Sequence, residues 1–133
     1  KEFATSMIMI THDLGIVAEN CDNVAVVYAG EVVEYGSREE IFDNPLHPYT
    51  IGLFGSLPDI NSDVERLSPI AGMPPDAANL PSGCAFAPRC PYADEKCKSV
   101  PVGLERMEGA HCCRCIHSRR MDKIKAKAAE KVC

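Results

Sequence analysis

The stretch Ser6-Met7-Ile8-Met9-Ile10-Thr11-His12-Asp13 is a continuous apolar run that ends in a polar step. Residues 6–11 predict a strand buried on both faces, the pattern of a parallel sheet. Leu14, Ile16, Val17 and Ala18 then predict a short helix that Thr11 or Asp13 could cap and that Cys21-Asp22-Asn23 ends. Working outward, Val24 to Tyr28 and Glu31 to Tyr35 are β-rich runs joined by Ala29-Gly30, which predicts a tight hairpin. Ser37-Arg38-Glu39-Glu40 reads as a capping box, with Ser37 as N-cap and Glu40 at N3. It opens a helix to about Asp43, which Asn44-Pro45 stops. A second helix is expected from Pro48 to about Leu57, with Pro48 in its first turn. One buried strand, a hairpin and short helices make an incomplete α/β layer. Its missing neighbours are expected before Lys1, and the lack of an initiator Met there points to a fragment.

From Pro58 the composition changes. Eight prolines from Pro58 to Pro101 punctuate a stretch that cannot hold long helices or central strands. Such a stretch needs a staple, which its cysteines could supply. Residues 118–131 favour helix but carry only a thin apolar stripe of Met121, Ile124, Ala128 and Val132. The chain therefore divides into residues 1–57, a cysteine-rich extension at 58–117 and a basic helical tail at 118–133.

The 133 residues are 46% hydrophobic and 25% charged, so a folded core is expected. No apolar run approaches the roughly 20 residues needed to span a bilayer. No secretory signal opens the chain. Residues 1–117 hold 8 Lys/Arg against 17 Asp/Glu, a balance of −9, and residues 118–133 hold 6 against 2, a balance of +4. An acidic body argues against nucleic acid as the main partner. Seven of the eight cysteines lie in the second half. With no export signal, a reducing compartment and a metal site are the better reading.

Cys84, Cys90 and Cys97 are spaced C-x5-C-x6-C, and Cys112, Cys113 and Cys115 follow. No C-x2-C knuckle typical of structural zinc is present. The longer spacings suit loops wrapped around a larger centre, such as an iron-sulfur cluster held by four thiolates. Cys112 and Cys113 could compete as ligands, or bind zinc with His111 or His117. Cys21 and Cys133 read as free thiols, Cys21 buried and Cys133 terminal. His12 follows an apolar strand, and so would sit at the carboxyl edge of a sheet, where open α/β folds bind ligands. Its imidazole could there donate to a phosphate oxygen, or else form part of a helix cap. His47 reads as a helix cap, because nothing beside it resembles a base–nucleophile pair.

Met7-Ile-Met-Ile-Thr-His-Asp-Leu-Gly15, followed by Asp22 to Gly36, resembles the switch-histidine region of ABC-type ATPase subunits. Glu39-Glu-Ile-Phe-Asp-Asn-Pro-Leu-His-Pro-Tyr-Thr50 is similar to the His-Pro-Tyr signature of the oligopeptide/dipeptide importer branch. The likeness continues through Gly83-Cys84 and Pro88-Arg89-Cys90-Pro91 to about residue 117. It implies a partial ABC-type ATPase α/β domain, a loop-rich cysteine module and a C-terminal helix. It implies that His12 contacts the ATP γ-phosphate in the intact subunit, which pairs with a second ATP-binding subunit and with membrane permeases on the inner face of the cell membrane. It also implies a 4Fe-4S cluster on Cys84, Cys90, Cys97 and Cys115, with zinc as the alternative. Cys115 takes the fourth place because it lies four residues after His111, although Gly109-Ala110 displaces the usual glycine.

The chain has no Gly-x-x-x-x-Gly-Lys-[Ser/Thr] loop, and no Asp-Glu pair precedes His12 to hold Mg²⁺. ATP and Mg²⁺ are therefore expected only in the intact subunit, with this chain catalytically silent. Sheet edges and helix faces left uncovered in a part-domain favour a homo-oligomer or domain-swapped dimer.

Overall fold

The computed structural model describes residues 5–56, 70–76 and 78–121. Its centre is the hairpin of strands β1 (Asn23–Tyr28) and β2 (Glu31–Ser37). The two central turn residues, Ala29 and Gly30, both take positive φ (50° and 81°), as a tight turn matching the strand twist requires. Val26 pairs with Glu34 and Val27 with Val32, so Val33 is an extra residue that bulges β2. Val26, Tyr28 and Val33 are all buried.

Strand β2 passes directly into helix α2 (Arg38–Asp43) through the capping box. The Glu40 N–H donates to Ser37 Oγ at 3.2 Å, and the Ser37 N–H donates to Glu40 Oε2 at 2.8 Å. Helix α3 (Pro48–Gly55) starts at His47, whose Nδ1 accepts the Tyr49 N–H at 3.1 Å. The expected end of this helix at Leu57 lies outside the described residues. In the cysteine-rich part, one 3₁₀ turn (Ala87–Arg89), helix α4 (Glu95–Ser99) and strands β3 (Glu105–Arg106) and β4 (Cys112–Cys113) are all short, as the prolines dictate. The described residues end with a 3₁₀ turn at Ser118–Arg120 and the fully buried Met121; the rest of the expected C-terminal helix, with Cys133, lies outside them.

The sheet has the order β1-β2-β4-β3, with every pair antiparallel. Because β4 pairs with β2, the cysteine-rich segment extends the hairpin's own sheet. The apolar core is shared in the same way. Val26, Tyr28, Val33 and Ile41 pack with Ala85 and Phe86. The rings of Tyr28, Tyr49 and Phe86 meet with centroids 4.6–5.5 Å apart, Tyr28 and Phe86 edge to face. Overall this is a mixture of short helices and a small antiparallel sheet, consistent with part of an α/β domain.

Two expectations are corrected. Residues 6–11 form no strand, and Met7, Ile8 and Ile10 are 72%, 93% and 97% exposed. No strand among the described residues lies beside this segment, so its N–H and C=O groups have no ladder to join. Its apolar side chains likewise have no layer to pack against. The helix that follows, α1 (Leu14–Asn20), does form. Asp13 Oδ1 caps it, accepting from the Gly15 and Ile16 N–H groups at 2.9 and 3.1 Å. Cys21 is half-buried rather than buried.

Candidate metal centre

Four loops converge beside the start of α3. Gly83 and Cys84 donate their N–H groups to the carbonyls of Lys98 and Cys97 at 3.1 and 2.8 Å, clamping the Cys84 loop onto α4. A Cβ on Gly83 would lie 2.3 Å from the Cys97 carbonyl oxygen, so only glycine permits this approach. The 3₁₀ turn after Phe86 delivers Cys90. Asp94 caps α4 by accepting the Cys97 N–H at 2.9 Å. Beyond β4, Arg114 donates to the Val32 and Val102 carbonyls, each at 2.9 Å, and so fixes the chain just before Cys115.

Cys84, Cys90, Cys97 and Cys115 line one narrow pocket. Phe86, Ala87, Val102 and Ile116 supply apolar wall, and His47 and His117 also border it. Burial pushes the Cys90 thiol up to about 11 and the Cys115 thiol up to about 12, and raises those of Cys84 and Cys97. Each thiolate would repel others of the set, which raises the values further. The four thiols crowd one apolar pocket, and a cation, the Arg114 guanidinium, offsets burial at Cys84 alone among them. A metal centre is the partner that would let them ionise, so the donor set fits such a group.

The other candidates lie elsewhere. Cys112 and Cys113 do not line the pocket; Cys113 is fully buried in β4, and burial raises its thiol strongly. His111 is buried, with Nε2 2.8 Å from Glu34 Oε1. His117 approaches Asp94 at 3.2 Å, and with Cys97 their ligand atoms lie within 4.8 Å of one another. His12 sits on an exposed turn before α1 and does not border the pocket.

Glu34 went unmarked in the sequence, although it organises the site. It is fully buried. Its Oε1 accepts the Leu46 N–H at 2.6 Å, and its Oε2 accepts the His47 N–H at 3.0 Å. With the His111 contact, one carboxylate ties β2 to the start of α3 and to the segment before β4. Among the described residues, two buried side-chain polar atoms have no hydrogen-bond partner, His47 Nε2 and Thr50 Oγ1. Of these two residues, only His47 borders the cysteine pocket.

Residues 33–97 match the family described as the oligopeptide/dipeptide transporter, C-terminal region. The chain is 52% identical over 101 residues to an oligopeptide transport ATP-binding protein of Haemophilus influenzae, covering 76% of this chain and 31% of that protein. It is 48% identical over 109 residues to a dipeptide transport ATP-binding protein of Caldanaerobacter subterraneus, covering 82% and 33%. It is 45% identical over 115 residues to an oligopeptide transport ATP-binding protein of Bacillus subtilis, covering 86% and 35%. The chain therefore spans about a third of the length of these relatives. Within the matched span fall Glu34, His47 and three of the pocket cysteines, Cys84, Cys90 and Cys97. Cys115 lies beyond the matched span, and His12 before it.

Proposed function

We propose that this chain is the C-terminal part of the ATP-binding subunit of an ABC-type peptide importer, and that it carries a 4Fe-4S cluster on Cys84, Cys90, Cys97 and Cys115. The observation that carries the cluster reading is the convergence of these four cysteines on one largely apolar pocket. When bound, such a cluster supplies a covalent cross-link among four loops. The chain's own residues do the rest. Arg114 and the Gly83 clamp hold two ligand loops in place, Asp94 fixes the α4 backbone at Cys97, and Phe86 keeps water from one wall.

In the intact subunit, His12 would contact the γ-phosphate of ATP, and hydrolysis would drive peptide uptake through membrane permeases. Attachment to the membrane would run through those permeases; no helix among the described residues is long and apolar enough to cross a membrane. The loops behind residue 58 would serve association or regulation of paired ATP-binding subunits.

Anaerobic reconstitution with iron and sulfide tests the cluster. A broad absorbance shoulder near about 400 nm, with iron and sulfide in equal amounts, is the expected result. It should be lost in Cys84→Ser and Cys115→Ser and kept in Cys112→Ser. A specific observation favours a second reading, since Asp94, Cys97 and His117 converge as zinc ligands would. Colourless zinc binding abolished by Asp94→Ala would select it over the cluster.

A further inference from the structure

We propose that His47, the histidine of His-Pro-Tyr, donates a hydrogen bond from Nε2–H to a sulfur of the group held by the four cysteines. The inference rests on the cluster reading above and deepens it. Three observations place the donor. First, the Nδ1 atom of His47 is already used, accepting the Tyr49 N–H at 3.1 Å. A neutral ring with Nδ1 as acceptor carries its proton on Nε2. Second, Nε2 is buried in a residue only 1% exposed, yet it closes no hydrogen bond with any described residue. The Arg114 carbonyl acts on the ring without completing one. An unpaired buried donor is costly, and such groups call for a missing acceptor. Third, the same ring borders the pocket that the four cysteines line, with Phe86 5.9 Å away, centroid to centroid.

The ring is held in place from behind. Its backbone N–H is bound by Glu34, itself tied to His111, and Pro48 starts α3 immediately after it. The Arg114 carbonyl also acts on the ring, and the charged acceptor on this side would be a sulfur carrying the negative charge of a metal–thiolate group. Hydrogen bonds to cluster sulfurs favour the more negative, reduced state and so raise the reduction potential. The His47 ring is thus a positioning and tuning residue rather than a ligand.

His47→Asn separates this role from the cap. Asparagine is a strong N-cap and can still accept the Tyr49 N–H, but its shorter side chain withdraws the ring donor from the pocket. In the reconstituted chain, the variant should keep its iron and sulfide content. Its reduction equilibrium should shift roughly tenfold toward the oxidised form, about 59 mV for one electron. The Fe–S stretching bands in resonance Raman should move up, because a lost N–H···S bond leaves those bonds stiffer. An Asn variant that loads fully with unchanged potential and unchanged bands overturns the role of His47 and leaves the cluster reading standing. A wild-type chain that stays colourless after reconstitution overturns both together.

Discussion

Glu34 places three hydrogen bonds in a site with no exposed surface, and the donors come from residues 12, 13 and 77 positions away. A glutamate in an alternating strand reads as solvent-facing, so nothing local marks it as buried. Only the arrival of the Leu46 and His47 amides and the His111 ring turns it into a junction. Glu34→Gln keeps the volume but meets three donors with a single acceptor oxygen and an amide that itself donates. It should lower stability by roughly 3 kcal/mol, read from urea denaturation; a loss within experimental error would show that the junction is not what joins these elements. His47 gives a second prediction at this scale. Burial pushes its pKa down from 6.5 to about 4, so the unfolded chain takes up the proton first as pH falls. Its contribution is fully present above about pH 6.5 and is lost progressively toward pH 4, by about 3 kcal/mol. His47→Asn should flatten that part of the urea midpoint profile between pH 4 and 7.

The helix starts at Ser37 and His47 were legible because capping is local: the side chain and the amide it satisfies lie two or three residues apart. Ser37→Ala removes one half of the capping box and should cost about 1 kcal/mol, measured by thermal or urea unfolding. Gly83 was quoted only within the cysteine-rich pattern, with no sign that the Cys97 carbonyl oxygen would lie 2.3 Å from any added Cβ. Because the obstacle is backbone, the loop itself must move. Gly83→Ala should therefore cost about 1–3 kcal/mol and reduce metal retention by displacing Cys84. Competition with a chelator, wild type against variant, reads that loss, and equal retention would contradict it. The segment at residues 6–11 teaches the opposite lesson. An apolar run states that a segment suits burial, whereas a strand requires a second backbone to complete it.

At the scale of the molecule, one core and one sheet join the hairpin to the cysteine-rich loops, so loss of metal should be felt beyond the pocket. Few apolar side chains between Cys84 and Cys115 are buried, and metal binding would contribute much of the free energy that orders this part. Limited proteolysis before and after chelation should show new cuts within residues 68–117; an unchanged pattern would mean the loops stand without their staple. The amino-acid sequence by itself determined the hairpin and its turn, the capping box and the short helices beside proline. Each of these depends on backbone preference or on partners within a few residues. Tertiary structure alone decided that Cys84, Cys90, Cys97 and Cys115 share a pocket while Cys112 and Cys113 do not, that Glu34 is buried, and that His47 keeps an unpaired donor beside the thiols. Those outcomes turn on loops meeting across tens of residues, where loop closure and packing decide the neighbours and local propensity carries no information about them.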